Sequence, residues 1–146
     1  FAPDSAYRLF DINLRQHYYN KVLIEESLYL ANVLKMNDDE MSELKNLFGL
    51  KGTEEEVANW FMENYNLRMV VLTAGADYST VYTPDEVSTL ATPKVDVVDT
   101  VGAGDAFSAA LVMSLLKGQT LREAHECAVK ISAFVCSHKG AWPVYE

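Results

Sequence analysis

Short apolar runs alternate with amphipathic stretches along most of this chain, and this alternation constrains the fold more than any other feature. Met69 to Thr73, for example, is rich in β-branched residues and bounded by turn residues, which predicts a buried strand. We predict strands near 7–10, 33–36, 69–73, 78–82, 88–91 and 95–98, and helices near 21–32, 37–47, 53–65, 105–116 and 120–137. This order indicates an α/β fold with a largely parallel sheet, in which ligands bind at the carboxyl ends of the strands.

Composition limits the partners that such a chain can have. Its 21 acidic and 12 basic residues give a net charge of −9, and 49% of its residues are hydrophobic, which is typical of a globular protein. This acidity argues against nonspecific binding to nucleic acid. No run of about 18 apolar residues predicts a membrane span.

Cysteine and histidine usage gives no sign of a disulfide scaffold or a metal site. Cys127 and Cys136 fall on one predicted helix, about 13 Å apart and on opposite faces, which is too far for a disulfide. We expect two buried thiols in a reducing compartment such as the cytoplasm. His17, His125 and His138 show no metal-ligand spacing.

The segment from Asp99 to Phe107, DTVGAGDAF, is the strongest candidate for chemistry. Gly102 and Gly104 would let the backbone turn sharply before an almost wholly apolar helix, which we expect to be central and buried. The turn and the helix N-terminus together would form an anion site. Asp105 would repel an anion there, but it could accept a proton from a hydroxyl that attacks the anion. The alternative is an acidic residue that merely stabilises the helix N-terminus.

Two other phosphate-binding motifs do not fit this segment. A Walker A loop needs a Gly-Lys-Ser/Thr sequence, and none follows the glycines. The dinucleotide fingerprint needs a third glycine where Phe107 stands.

The DTVGAGDAF segment resembles the second signature of the ribokinase-like, or PfkB-type, carbohydrate kinases. Further stretches resemble family motifs in the right order: Asp11 to Arg15, Asn37 to Glu40, Leu72 to Gly75, and His138 to Ala141. The resemblance spans roughly residues 7 to 146. Fructokinases and 2-keto-3-deoxygluconate kinases form the most similar branch, mainly because of the D-x-N-x-R pattern of Asp11 to Arg15.

This resemblance implies a three-layer α/β/α, Rossmann-like fold of the ribokinase type with a mostly parallel sheet. Residues 1–146 would form a single domain, the nucleotide-binding C-terminal half of a sugar kinase. ATP and Mg²⁺, with K⁺ in some relatives, would serve phosphorylation of a sugar hydroxyl, and the full-length protein is expected to be a homodimer. A kinase of a nucleoside or a vitamin alcohol, and a non-catalytic nucleotide-binding regulatory domain, remain alternatives.

The resemblance also implies roles for the residues around the glycine turn. Asp105 would be the catalytic base, and the amides of Gly102, Ala103 and Gly104 would form the anion hole for the transferred phosphoryl group. Asp99 and the carbonyl of Val101 resemble positions that hold a monovalent cation in some relatives.

The other matching motifs would bind nucleotide, metal and substrate. Asn37 and Glu40 would organise Mg²⁺ and its water, although Asn followed three residues later by Glu is also a capping box, and both can hold at once. Thr73, Gly75 and Gly140 would line the nucleotide, and Arg15 would face a phosphate or an anionic part of the substrate. The aromatic pair Trp60 and Phe61 is expected to pack in the core.

All of these motifs belong to the family's C-terminal half. The family's first strands, glycine-pair signature, most sugar contacts and β-lid are not found in this sequence. The chain begins at Phe1 without an initiator Met, and we expect it to be a piece of a longer protein with an exposed sheet edge. We further expect that it either self-associates or stays a compact half-domain, and that it phosphorylates sugars hardly at all by itself.

Overall fold

A computed structural model describes residues 7–12, 21–74, 77–93 and 102–137, and the structural statements below concern these residues. The described strands are β1 (Leu9–Asp11), β2 (Val33–Asn37), β3 (Met69–Ala74), β4 (Tyr78–Tyr82) and β5 (Val87–Ala91). The described helices are α1 (Lys21–Leu30), α2 (Asp38–Phe48), α3 (Glu54–Tyr65), α4 (Ala103–Leu116) and α5 (Leu121–Cys136). The predicted strand near 95–98 lies outside the described residues.

The strands form a sheet in the order β1-β2-β3-β4-β5. Strands β1, β2 and β3 are parallel to one another. Helix α1 connects β1 to β2, and helices α2 and α3 connect β2 to β3. β4 and β5 form a hairpin whose turn is closed by the Thr83 N–H donating to the Glu86 carbonyl at 2.8 Å. The predicted α/β fold with a mostly parallel sheet is confirmed.

The chain divides into two compact units, which we describe separately. Unit 1 comprises Phe1–Gly75 and Ser79–Val87, and unit 2 comprises Ala76–Tyr78 and Ser88–Glu146.

The core of unit 1 surrounds strands β2 and β3, which are buried on both faces. Leu34 and Met36 of β2 join a cluster with apolar residues of α1, α2 and α3, while Val33 on the opposite face of the strand is also buried. Phe61 is fully buried, and its ring lies 5.4 Å from that of Phe48 in an edge-on arrangement. Trp60 is half-buried and packs against the same cluster, with its ring 5.1 Å from that of Phe61, so the expected packing role of both aromatics of α3 is confirmed.

Local capping signals set several of the helix boundaries. Thr53 with Glu56, and Thr120 with Glu123, form reciprocal capping boxes at the starts of α3 and α5, as the sequence predicts. Helix α2 ends at Gly49, which adopts the left-handed conformation with a φ of 67°.

Helix α4 of unit 2 differs from its prediction in two respects. It begins at Ala103 rather than at Asp105, and it is buried on one side only. Phe107 and Leu111 are buried on a helix that packs against α5, whereas Met113 is 54% exposed and Leu116 is 57% exposed. The expectation of a central, wholly buried helix is wrong for the described structure, because an apolar face is buried only where another element covers it.

Both cysteines lie on α5 with free thiols, as predicted, but they are half-buried rather than buried. No helix within the described residues is long and apolar enough to cross a bilayer.

Candidate functional site

The carboxyl ends of β1, β2 and β3 bring several predicted site residues together in unit 1. Asn37 at the end of β2 is the neighbour of Thr73 in β3 in the parallel register. Asp11 at the end of β1 is the neighbour of Lys35. The sequence places Asp11, Asn37 and Thr73 at this edge correctly, since each follows a recognisable apolar run.

Asn37 and Glu40 form the capping box of helix α2. The Glu40 N–H donates to Asn37 Oδ1 at 2.8 Å, and the Asn37 N–H donates to Glu40 Oε1 at 2.9 Å. Glu40 is buried, and Asn37 is in the extended conformation expected of an N-cap. The capping interpretation is confirmed, and the metal role stays a prediction.

Lys35 is a charged residue of this edge that the sequence analysis missed. Its Nζ lies 3.6 Å from Asp11 Oδ2, and its side chain is only 8% exposed. Residues two apart in a strand share a face, so the ammonium group approaches the side of β2 that carries Asn37. The available signal was a lysine between Leu34 and Met36 inside an otherwise apolar strand.

In unit 2, Gly102 takes a left-handed conformation at the start of the segment where the sequence assigned the turn to two glycines. Gly102 is the N-cap of α4 and has a φ of 81° and a ψ of −7°, a left-handed conformation that favours glycine. Gly104 lies within the first turn of α4 and is helical. Within the described part of this segment, the positive φ is therefore confined to Gly102.

The first turn of α4 is accessible and begins without a side-chain cap. The Ala106 N–H donates to the Gly102 carbonyl at 2.9 Å, and no side chain of the described residues caps this end. Gly104 and Asp105 are exposed, whereas Ala103 is buried. The N-terminus of a helix carries partial positive charge, so this turn can receive an anion beside the Asp105 carboxylate.

A polar network in unit 2, in which Ser88 and His125 are buried and Arg122 is exposed, was also missed by the sequence analysis. The Ser88 hydroxyl and His125 Nδ1 are 2.8 Å apart, and Arg122 Nη1 donates to Ser88 Oγ at 3.2 Å and to the Thr89 carbonyl at 3.0 Å. Burial, and secondarily the Arg122 guanidinium, lower the pKa of His125 from 6.5 to about 4. No local pattern predicts the contact, because Ser88 and His125 are 37 residues apart.

The remaining predicted site residues lie outside the described residues: Arg15, Gly75, Asp99, Val101 and Gly140. Among the residues that are described, no group of three or more His, Cys, Asp or Glu side chains could hold a metal ion.

Comparison with known proteins identifies the family. Residues 2–144 match the model of the pfkB family carbohydrate kinases. The chain belongs to this family. This match confirms the family that the Asp99 to Phe107 segment indicated, and it extends over nearly the whole chain.

Two relatives and one solved structure indicate how this pfkB chain compares with others. It is 30% identical over 146 residues to the aminoimidazole riboside kinase of Salmonella typhimurium, covering 93% of this chain and 44% of the relative. It is 36% identical over 85 residues to a fructokinase of Rhizobium leguminosarum bv. trifolii, covering 58% of this chain and 24% of the relative. The crystal structure of ribokinase from Thermotoga maritima superposes with a TM-score of 0.73 at 28% identity, covering 91% of this chain and 43% of that protein.

These matches confirm the ribokinase-like fold. The chain spans less than half the length of each of these proteins.

Proposed function

We propose that this pfkB chain carries the nucleotide- and phosphate-binding part of an ATP-dependent kinase that phosphorylates a sugar hydroxyl, as a fructokinase does. The observation that carries the proposal is the left-handed Gly102 turn leading into α4, with the exposed carboxylate of Asp105 in the first helical turn. Anion-binding amides beside a proton acceptor are what phosphoryl transfer to an alcohol requires.

The first turn of α4 would perform the chemistry. The backbone amides of Gly102, Ala103 and Gly104 would stabilise the charge that develops on the transferred phosphoryl group, helped by the helix dipole. Asp105 would accept the proton of the attacking hydroxyl. Its exposure supports this role, because an acceptor molecule can reach the carboxylate.

The strand ends of unit 1 would bind the nucleotide and its metal ion. Thr73 would line the phosphate and ribose region, beside Asn37 in the register. Asn37 and Glu40 would organise Mg²⁺ and its water, while Asn37 Oδ1 and Glu40 Oε1 also accept the backbone N–H groups of the capping box. When bound, Mg²⁺ neutralises the phosphate charge. In this proposal Gly75 and Gly140 would contact the nucleotide, and Arg15 would face the substrate. Asp99 and the carbonyl of Val101 would hold a monovalent cation.

A riboside is the second candidate acceptor. The relative that is 30% identical over most of this chain is named an aminoimidazole riboside kinase. A non-catalytic regulatory domain is less favoured, because the sequence retains the glycine turn and Asp105, which such a domain would not need.

The test is to offer several phosphoryl acceptors to a full-length protein, one as long as the relatives. ADP release would be measured with fructose, 2-keto-3-deoxygluconate and a purine riboside, for the wild type and for Asp105→Asn. We expect turnover with a sugar that is lost in Asp105→Asn, and hardly any turnover by residues 1–146 alone. If the riboside is phosphorylated faster than the sugars, the riboside becomes the assigned acceptor. If no acceptor is phosphorylated, both candidate functions are contradicted.

A further inference from the structure

The Ser88–His125 pair lies in a directional chain of hydrogen bonds. Arginine only donates, so Ser88 Oγ accepts from Arg122 and keeps its own proton available to donate; we assign that proton to the bond with His125 Nδ1. The proton of the neutral ring is then on Nε2. Ser88 is buried and His125 is completely buried, so water does not compete for the bond between them, whereas Arg122 reaches Ser88 from an exposed position.

The same histidine ring contacts the helix that carries the anion-binding turn. The His125 and Phe107 rings are 5.9 Å apart at an interplanar angle of 77°, an edge-on contact. Phe107 is buried and follows Gly104 by three residues, which is about one helical turn. The packing of the Phe107 ring therefore holds the helix about one turn from the glycine turn.

The hydrogen bond to Ser88 fixes how the His125 ring is rotated. An apolar side chain could fill the same volume, but it would not fix the orientation of a ring through directional bonds. Ser88 belongs to β5, His125 to α5 and Phe107 to α4, so a single ring joins three elements of unit 2.

We propose that Ser88 and His125 are positioning residues, which hold Phe107 and thereby set the geometry of the Gly102 to Asp105 turn. The consequence for phosphate binding rests on the function proposed above, whereas the effect on the turn itself does not. Neither residue touches the reacting atoms in this proposal, and both act through Phe107.

The test compares three variants of the chain by amide resonances in ¹H–¹⁵N spectra. Ser88→Ala removes the hydroxyl, and Ser88→Thr keeps it. Val135→Ala is the matched control, since Val135 is buried on the same helix about 15 Å from His125 along the axis.

We expect the amide resonances of Gly102 and Gly104 to shift in Ser88→Ala and to stay in place in Ser88→Thr and Val135→Ala. The proposal is overturned if Ser88→Ala moves the amide of Thr89 but not those of the two glycines. It is equally overturned if Val135→Ala moves the glycine amides as far, since that would be a general response to lost packing.

A second readout separates this proposal from the proposed function. Affinity for ATP with Mg²⁺ should fall about fivefold in Ser88→Ala, comparable to losing one net hydrogen bond, and recover in Ser88→Thr. If the wild-type chain does not bind ATP, the proposed function fails, while the glycine amide shifts still decide whether Ser88 and His125 position the turn.

Discussion

The protein should lose stability at mildly acidic pH, because His125 takes up a proton there only when the chain unfolds. The ring is fully buried, and its pKa is lowered from 6.5 to about 4 by burial and by the nearby Arg122 guanidinium. In the unfolded chain the same histidine titrates near its usual value of about 6.5.

The sign and size of the effect follow from linkage. Because the pKa is lower in the folded state, the unfolded state binds more protons between pH 6.5 and 4, so the histidine's contribution to stability is present above about pH 6.5 and is lost toward pH 4. The loss of unfolding free energy between pH 7.5 and pH 5 is about 2 kcal/mol, and it approaches about 3 kcal/mol below pH 4.

Urea unfolding followed by circular dichroism at pH 7.5, 6 and 5 measures this loss. Acidic groups add their own pH dependence to the unfolding free energy. The wild type is therefore compared with His125→Gln, which keeps those groups and lacks the titration of His125. The stability difference between wild type and His125→Gln should shrink by about 2 kcal/mol from pH 7.5 to pH 5. In Arg122→Gln the loss should be smaller, since the second cause of the lowered pKa is removed. Identical pH dependence of wild type and His125→Gln would refute the reasoning.

Three further substitutions test other parts of the account. Asp105→Asn in a full-length protein should lower kcat about 10²–10⁴-fold with ATP affinity nearly unchanged, and a near-wild-type kcat would exclude it as the base. Glu40→Gln keeps an oxygen for the capping box but loses the charge at the helix N-terminus, so the unfolding free energy should fall by about 1 kcal/mol or less while Mg²⁺-dependent ATP affinity falls. Unchanged affinity would mean that Glu40 only caps the helix. Phe61→Ala should cost about 3–5 kcal/mol in denaturant unfolding, far more than Leu47→Ala at a partly exposed site, and equal costs would contradict the assigned core.

Local signals allowed much of the fold to be predicted from the sequence. The capping boxes at Thr53 and Thr120 mark helix starts within a few residues, and the β-branched run at Met69 marks a strand by itself. The burial of α4 could not be predicted in the same way. Its sequence is apolar on every side, and only the arrangement of neighbouring elements leaves Met113 and Leu116 exposed.

The candidate site was predicted where its residues are consecutive in the sequence. The glycine turn could be recognised from its motif, but only the backbone shows that Gly102, and not Gly104, takes the left-handed conformation. The contact of Ser88 with His125 bridges two separate elements of unit 2, and no spacing rule anticipates it.

Calorimetric titration of the chain with ATP and Mg²⁺ tests the central claim most directly. Gly102→Val places a β-branched residue at the left-handed turn, and Gly118→Val is the matched control, since Gly118 also has a positive φ, 87°, but follows the opposite end of α4. The account predicts saturable binding by the wild type and by Gly118→Val, and its loss in Gly102→Val. Equal binding by all three, or no binding by the wild type, would contradict the assignment of the Gly102 turn as the phosphate site.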